Sequence, residues 1–515
     1  MSIRATAILG VALVAGVMST GCSSQPDSPD TSAGSPATSA AAHPEQGLLE
    51  DLTIANRILG RQLAILDIQG HVTARSRVNP NHYYIARYVS PGGASVSDFI
   101  ENDLASSPVH GPRTDQAREI YLHGEIYKAR PDVMAVVHAH TPEFVAFSMS
   151  SVPLWNGDSP VPVWDIRPFN KGRSGIVSTP ALGRAMAETL GTSEAVLLWG
   201  HGIALTAASL PDAITRVDDL RDAAQLQQKT TAMGGTWTPA ARLVDTMAAG
   251  RTWDFHKRAI LNASAGIVPA SPEPTPEKPS DPLQATMHDL MLANRILVSD
   301  ELRILDTVGH VSVRHPGNAA VYLVAPAVAP GAVTVADVVQ RDSAAAAPDD
   351  QGLAIHDEIY KARPDVNAVL YARTPEIVAL THAGAPLRPV VNGGAFIGNG
   401  LPVFDIGALN PRQPLADPAL GGGVARALGK AGSVVLPRHG FVLTAPSIYN
   451  LVDRAYQLRL NAVIQQQAVA LRGRVAYLNE RPAEPVQANE SQPPAPTGPP
   501  EGRAWIYWTQ NLTLD

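Results

Sequence analysis

A chain of 515 residues that is 45% hydrophobic and 17% charged is too long for one hydrophobic core and too apolar to be disordered, so two large domains are expected. A net charge of -7 without any basic cluster excludes the electrostatic footprint of a nucleic-acid-binding protein. One cysteine, Cys22, excludes a disulfide framework, and its lipidation would leave no thiolate for catalysis.

The first segment, 1–22, reads "MSIRATAILGVALVAGVMSTGC": Arg4, then an apolar run of about a dozen residues, then small residues up to Cys22. The run is shorter than the ~20 residues that span a bilayer. It resembles a bacterial lipoprotein signal, in which Cys22 becomes the acylated N-terminus; the alternative is an ordinary secretory signal with an incidental cysteine. The Ser-, Ala- and Pro-rich stretch 23–47 is too polar to fold and reads as a disordered tether. These features lead to the expectation of a membrane-anchored lipoprotein of the cell envelope, facing the periplasm or the exterior.

In the next segment, 48–263, "TDQAREIYLHGEIYKARPD" predicts a helix of about four turns, capped by Thr114 and stopped before Pro131, with Glu119 and His123 on one face. "DVMAVVHAH" is rich in β-formers between Pro131 and Pro142 and predicts a strand. Its period of two sends His138 and His140 to one face, with Val137 and Ala139 facing the other way. "EAVLLWGHG" predicts a buried strand with His201 at its end, where Gly200 and Gly202 loosen the backbone. Taken alone, a strand His-x-His is more often structural than metal-binding.

A Pro-rich linker, 264–282, is followed by a second segment, 283–480, that repeats the first. "DLTIANRILGRQLAILDIQGHVTAR" from Asp51 returns as "DLMLANRILVSDELRILDTVGHVSVR" from Asp289, and "HGEIYKARPDV" from His123 returns as "HDEIYKARPDV" from His356. "LLWGHGIALT" matches "VLPRHGFVLT" in the same way, so a whole domain of roughly 200 residues is duplicated in tandem. The second copy retains His310, Arg314, His356 and His439 opposite His71, Arg75, His123 and His201. Opposite Glu119, His138 and His140, however, it has Gly352, Tyr371 and Arg373. Residues that serve the scaffold survive with it, whereas residues that serve one ion are released together. The chain closes on 481–515, a Pro-rich stretch and the aromatic segment "RAWIYWTQNLTLD".

Both copies resemble the class II aldolase and adducin family in their Glu-x-x-x-His-x-x-Ile-Tyr, x-Arg-Pro-Asp-Val, His-x-His and later His-Gly motifs; the match covers 48–258 and 283–460. The resemblance implies two α/β/α domains, each with a mostly antiparallel central sheet flanked by helices. It implies metal ligands His138, His140 and His201, with Glu119 as acid and base, in the first copy alone. Three imidazoles suit a divalent ion with an open position, Zn2+ first and Mn2+ or another divalent ion as alternatives. It further implies carbon-carbon lyase chemistry through an enediolate, aldolase or decarboxylase, on a small hydroxy or oxo acid or an aldehyde. "GHVTAR" departs from the Asn-x-Ser-x-Arg of the sugar-phosphate aldolases and is more like the decarboxylase branch. His71, Arg75 and His123 are therefore candidates for substrate binding, against a structural role suggested by their survival in the second copy. The rival readings are a non-catalytic adducin-like scaffold and an epimerase. The family's ring architecture implies a homo-oligomer in which two chains rebuild a four-lobed ring. Trp505, Tyr507 and Trp508 would then either cover the live site or anchor the terminus on its own domain.

Overall fold

The computed structural model describes residues 43–113, 116–170, 175–239, 248–263, 278–306, 309–344, 353–406, 418–437, 439–478 and 501–510. Cys22 and its signal, the tether up to residue 42, the linker from 264 to 277, Thr114, Gly352 and the stretch 481–500 lie outside the described residues.

The first copy is built on a seven-stranded sheet in the order Phe99–Asp103, His82–Ala86, His71–Arg75, Ala135–Ala139, Gly202–Ala207, Ala195–Leu198, Val163–Trp164. Every neighbouring pair is antiparallel except the last, which is parallel. The second copy repeats the order over six strands: Val339–Asp342, Asn318–Val324, His310–His315, Ala368–Ala372, Gly440–Ala445, Ser433–Leu436. The expected pair of α/β units with mostly antiparallel sheets is what the chain forms.

Helices cover both faces of each sheet, so the central strand Ala135–Ala139 is buried throughout. Its period of two divides it cleanly. Ala135, Val137 and Ala139 join the core with Gln46–Arg57 and Leu210–Ala232, while Val136 joins that of Ile120–Ala129 and Pro180–Leu190. His138 therefore shares the Val136 face. In the twin strand Ala368, Leu370 and Ala372 take one core, and Val369 with Tyr371 the other, so a tyrosine fills the histidine's place.

The helix expected from Thr114 starts later, at Ile120, and ends at Ala129, just before Arg130 and Pro131. Glu119 occupies the position before the helix, with φ -96 and ψ 20, rather than a helical face shared with His123. The reason lies in its carboxylate: one oxygen accepts the Val177 backbone N–H at 3.0 Å and the other faces His138 and His201, which holds the chain in a turn.

The described residues from Pro44 onward form one compact unit in which the two copies share an apolar seam. Val145, Ala146, Met149 and Trp199 of the first copy pack against Val390, Val391, Ile464 and Ala468 of the second. The C-terminal helix Gly502–Gln510 is held on its own copy by two tryptophans, Trp505 packing edge-on to Tyr449 and Trp508 packing on Tyr456 and donating to Glu301 at 3.2 Å, while Tyr507 reaches across to Gly92 of the first copy. Anchoring, rather than covering the first-copy site, is the role these two tryptophans take.

Candidate metal centre

Four side chains of the first copy meet at one end of its sheet. His138 comes from Ala135–Ala139, His140 from just beyond that strand, Glu119 from the turn before Ile120–Ala129, and His201 from the turn between Ala195–Leu198 and Gly202–Ala207. The sequence expectation put His201 at a strand end; the strand stops at Leu198, and the tight turn beyond it carries the histidine. Gly200 takes φ 61, and a Cβ on Gly202 would collide with the Ala139 carbonyl, so only glycine lets the turn close against the central strand.

The three Nε2 atoms form a near-equilateral triangle: 3.0 Å from His140 to His138, 3.0 Å from His140 to His201 and 3.2 Å from His138 to His201. Glu119 Oε2 stands 3.3 Å from both His138 and His201. Bonds of ~2.0–2.1 Å to a tetrahedral ion place its ligands ~3.3–3.4 Å apart, close to these separations. The outer nitrogens settle the tautomers. His138 Nδ1 lies 2.9 Å from the Ile203 carbonyl, which only accepts, and His140 Nδ1 lies 2.9 Å from the Asp67 carboxylate. Both Nδ1 atoms therefore carry the proton and both Nε2 atoms present bare lone pairs to a common centre. Lone pairs that converge at 3 Å repel one another unless a cation sits between them, so the donor set fits a divalent ion.

Electrostatics point the same way. Burial raises the Glu119 pKa, but positive charge at His201 and His138 outweighs it and holds the carboxyl well below its usual range; with both imidazoles neutral, that positive charge falls to a bound cation. Burial also lowers the His138 pKa and so favours the neutral imidazole that ligation needs. Asp67 behaves like Glu119: burial opposes its charge, and His140 beside it restores it.

The twin site has been filled. Tyr371 donates to the His439 carbonyl at 2.9 Å, and Arg373 forks onto Asp306 at 2.6 and 2.8 Å, using the same aspartate position that orients His140 in the first copy. Among the described residues, the first-copy cluster is the one group of His, Cys, Asp and Glu arranged to hold an ion.

Of the three substrate-binding candidates, His71 alone reaches the cavity beside the cluster, stacked on His138 at 6.1 Å between rings. Arg75 is spent on backbone: it donates to the carbonyls of Val133 at 2.9 Å, Tyr127 at 2.7 Å and Arg130 at 3.0 Å. Arg314 repeats the pattern on Val366 and Arg363, both at 2.9 Å. His123 is wholly buried, bonded through Nδ1 to Thr73 Oγ1 at 3.0 Å, as His356 is to Ser312 at 2.8 Å. Burial pushes both imidazoles down to about 3. Arg75 and His123 thus brace the scaffold in both copies, which explains their survival where the metal ligands are gone.

Residues of the second copy complete the site. The cavity, about 300 Å³ and at the lower end of the ~300–1,000 Å³ range of ligand pockets, is walled on one side by Val391, Asn392, Gln457 and Leu460. The Asn392 side-chain amide lies with its nitrogen, Nδ2, 3.3 Å from His201 Nδ1. Its oxygen and nitrogen exchange places by a half-turn; oxygen inward, it accepts from Nδ1–H and leaves Nε2 bare, as at the other two histidines. Asn392 belongs to a loop of 13 residues, 388–400, where the first copy has six, 155–160. Asn461 and Gln465 of the helix Ile448–Ala470 clamp that loop: Val390 N–H donates to Asn461 at 2.9 Å and Arg388 N–H to Gln465 at 2.9 Å. The first copy kept the ligands with a short loop, and the second kept a long loop with no ligand set. Sequence reasoning missed Asp67 and Asn392, although the spacing between repeated pairs grows from 233 residues at His123 and His356 to 240 at Asp165 and Asp405, which marks the longer loop.

A family model described as the class II aldolase and adducin N-terminal domain matches twice, over residues 50–228 and 288–466. The chain is 29% identical over 173 residues to decarboxylase tropJ of Talaromyces stipitatus, covering 30% of this chain and 65% of that one. It is 28% identical over 206 residues to 3,4-dihydroxyphthalate decarboxylase of Arthrobacter keyseri, covering 37% of this chain and 81% of that one. Among solved structures, an aldolase II superfamily protein from Pseudomonas syringae covers 44% of this chain and 96% of its own at 19% identity, with a TM-score of 0.36.

Proposed function

The chain belongs to the class II aldolase and adducin family, and from that premise we propose that its first copy is a divalent-metal-dependent carboxy-lyase acting on a small hydroxylated acid. The observation that carries the reading is the trio of Nε2 atoms 3.0–3.2 Å apart with Glu119 at 3.3 Å, intact in one copy and dismantled in the other. Similarity to two decarboxylases favours loss of carbon dioxide over retro-aldol cleavage.

His138, His140 and His201 would hold the ion, Zn2+ by donor type, while Ile203, Asp67 and Asn392 fix their tautomers and ring planes. When bound, a divalent ion acts as a Lewis acid on substrate oxygens, drawing off the electron pair left on carbon when the carbon-carbon bond breaks. Glu119 Oε2 is the proton carrier. Ionised in the resting site, it accepts the proton of a substrate hydroxyl, and once carbon dioxide has left it returns a proton to the carbon that holds the pair. The Val177 N–H on Oε1 keeps the other oxygen turned inward. Val391 and Leu460 give the wall its apolar part, which would limit water beside the reacting carbon.

The second copy serves as that wall rather than as a second enzyme, since Tyr371 and Arg373 occupy its ligand positions. We further propose acylation at Cys22 with placement in the cell envelope, and assembly of two chains into a four-lobed ring; lipid-dependent mass at the mature N-terminus and light scattering test these. The lyase reading is tested by incubating metal-loaded full-length protein with a panel of hydroxylated aromatic and aliphatic acids. Release of carbon dioxide that chelator abolishes supports it; cleavage of aldehydes alone makes the protein an aldolase, and no turnover of either class favours a binding module.

A further inference from the structure

Arg118 stands immediately before Glu119 and lines the same cavity as His71, His140 and His201. It is partly buried, and its Nε is closed off from solvent with no hydrogen-bond partner. Such a position is unusual for a guanidinium, which carries five donors and is almost always paired when it leaves water. The cavity's own carboxylates are committed elsewhere. Asp67 receives His140 Nδ1 and the Gln69 and Gly70 N–H groups, while Glu119 faces His138 and His201 with one oxygen and the Val177 N–H with the other. Among the described residues, Arg118 is the one lysine or arginine in the cavity lining, and no ion pair with it is formed. In the twin, the aligned residue is Gln351, so the cation disappears together with the ligands. The structural braces Arg75 and His123, by contrast, were kept.

We infer that Arg118 is the substrate-binding residue for a carboxylate: the cavity takes a ligand that offers oxygen atoms to the ion and, at its other end, a carboxylate to the guanidinium. A planar fork of two parallel N–H groups matches the two oxygens of a carboxylate. The partly buried site strengthens that pairing relative to one in open water. Val391, Asn392, Gln457 and Leu460, from the second-copy part of the lining, bring no charge, so the anionic end of the ligand is directed to Arg118. The inference rests on the metal-dependent reading of the site only in requiring an ion at the three histidines. It names a recognition element that Arg75 and His123, spent on the scaffold, do not supply.

The test is binding, not turnover. Full-length, metal-loaded protein is titrated calorimetrically with catechol, which offers oxygens but no carboxylate, and with 2,3- and 3,4-dihydroxybenzoate, which add one. The wild type is expected to bind at least one carboxylated ligand roughly 10- to 100-fold tighter than catechol, the usual worth of a charge-assisted bidentate pair. Arg118→Gln should abolish that preference while catechol affinity and metal content stay within about twofold, and Arg118→Lys should keep part of it, as a charge without the fork. An unchanged preference in Arg118→Gln overturns the inference, as does equal binding of all three ligands by the wild type. If the glutamine variant loses catechol binding through misfolding, the lysine variant decides: a full wild-type preference overturns the inference and a reduced one upholds it. Arg118-dependent carboxylate binding in a protein that turns over no acid would uphold the inference and refute the lyase reading.

Discussion

Replacing Asn392 by alanine removes a side chain of the second copy and should damage the metal site of the first. The Asn392 amide lies 3.3 Å from His201 Nδ1 and is the partner that fixes that ring, as Ile203 and Asp67 fix the other two. Loss of such an outer partner typically costs 10- to 100-fold in metal affinity, or about 1.4–2.7 kcal/mol. The low end is expected if the ring only loosens. The high end follows if His201 turns its proton inward, because a protonated Nε2 cannot ligate. Asn392→Asp, which restores an acceptor, should recover most of the loss, whereas a merely space-filling role would be recovered better by Asn392→Leu. The assay is competition for the ion between the full-length protein and a chelator of known affinity, with thermal unfolding as a control that the fold is intact. Alanine within about twofold of wild type, with His138→Ala abolishing binding in parallel, would refute the claim that the silent copy completes the site.

Three further outcomes follow from the same geometry. Glu119→Gln should lower turnover at least ~100-fold with metal retained or only weakened, because the amide keeps the shape and loses the proton; activity within about twofold of wild type would show that another group carries it. Asp67→Asn should weaken metal binding about tenfold through His140, with no effect on the second copy; equal binding would show that the 2.9 Å contact does not orient the ring. His356, buried and held near 3 against ~6.5 in the unfolded chain, binds its proton only on unfolding. Its contribution is therefore complete above pH ~6.5 and is lost as pH falls towards 3, at up to ~1.4 kcal/mol per pH unit. Denaturant unfolding of apo-protein between pH 7.5 and 5 should show a shallower pH slope in His356→Gln, and an identical slope would contradict the burial argument.

Much of the site was legible because it follows from strand periodicity. A period of two puts His138 and His140 on one side whatever surrounds them, and the duplication separates residues lost with the ion from residues kept with the scaffold. Arg118, replaced by Gln351 in the second copy, follows the same pattern as the ligands. Glu119 lies beside the three histidines but off the helical face that its spacing from His123 predicts, since helix propensity and the Pro131 stop say nothing about a carboxylate drawn out of the helix by two imidazoles and the Val177 N–H. Arg75 and His123 read as recognition residues because arginine and histidine bind carboxylates. Their survival in the second copy already points to a structural role, and the fold identifies the partners, backbone carbonyls for Arg75 and Thr73 for His123. Asn392 was out of reach of any one-dimensional pattern, being 191 residues from His201 and brought to it by the apolar seam between the copies. Family architecture suggested that a live site would face a silent neighbour; one chain supplies both sides.

A single ion per chain, held in the first copy by His138, His140 and His201, underlies the outcomes at Asn392, Glu119 and Asp67. The most direct measurement is the metal content of full-length protein by elemental mass spectrometry, after dialysis against metal-free buffer and reloading with Zn2+ or Mn2+. One equivalent per chain is predicted, falling to background in His138→Ala and unchanged in His439→Ala. Two equivalents of similar affinity, loss of the ion in His439→Ala, or no tightly bound ion in the wild type would contradict it.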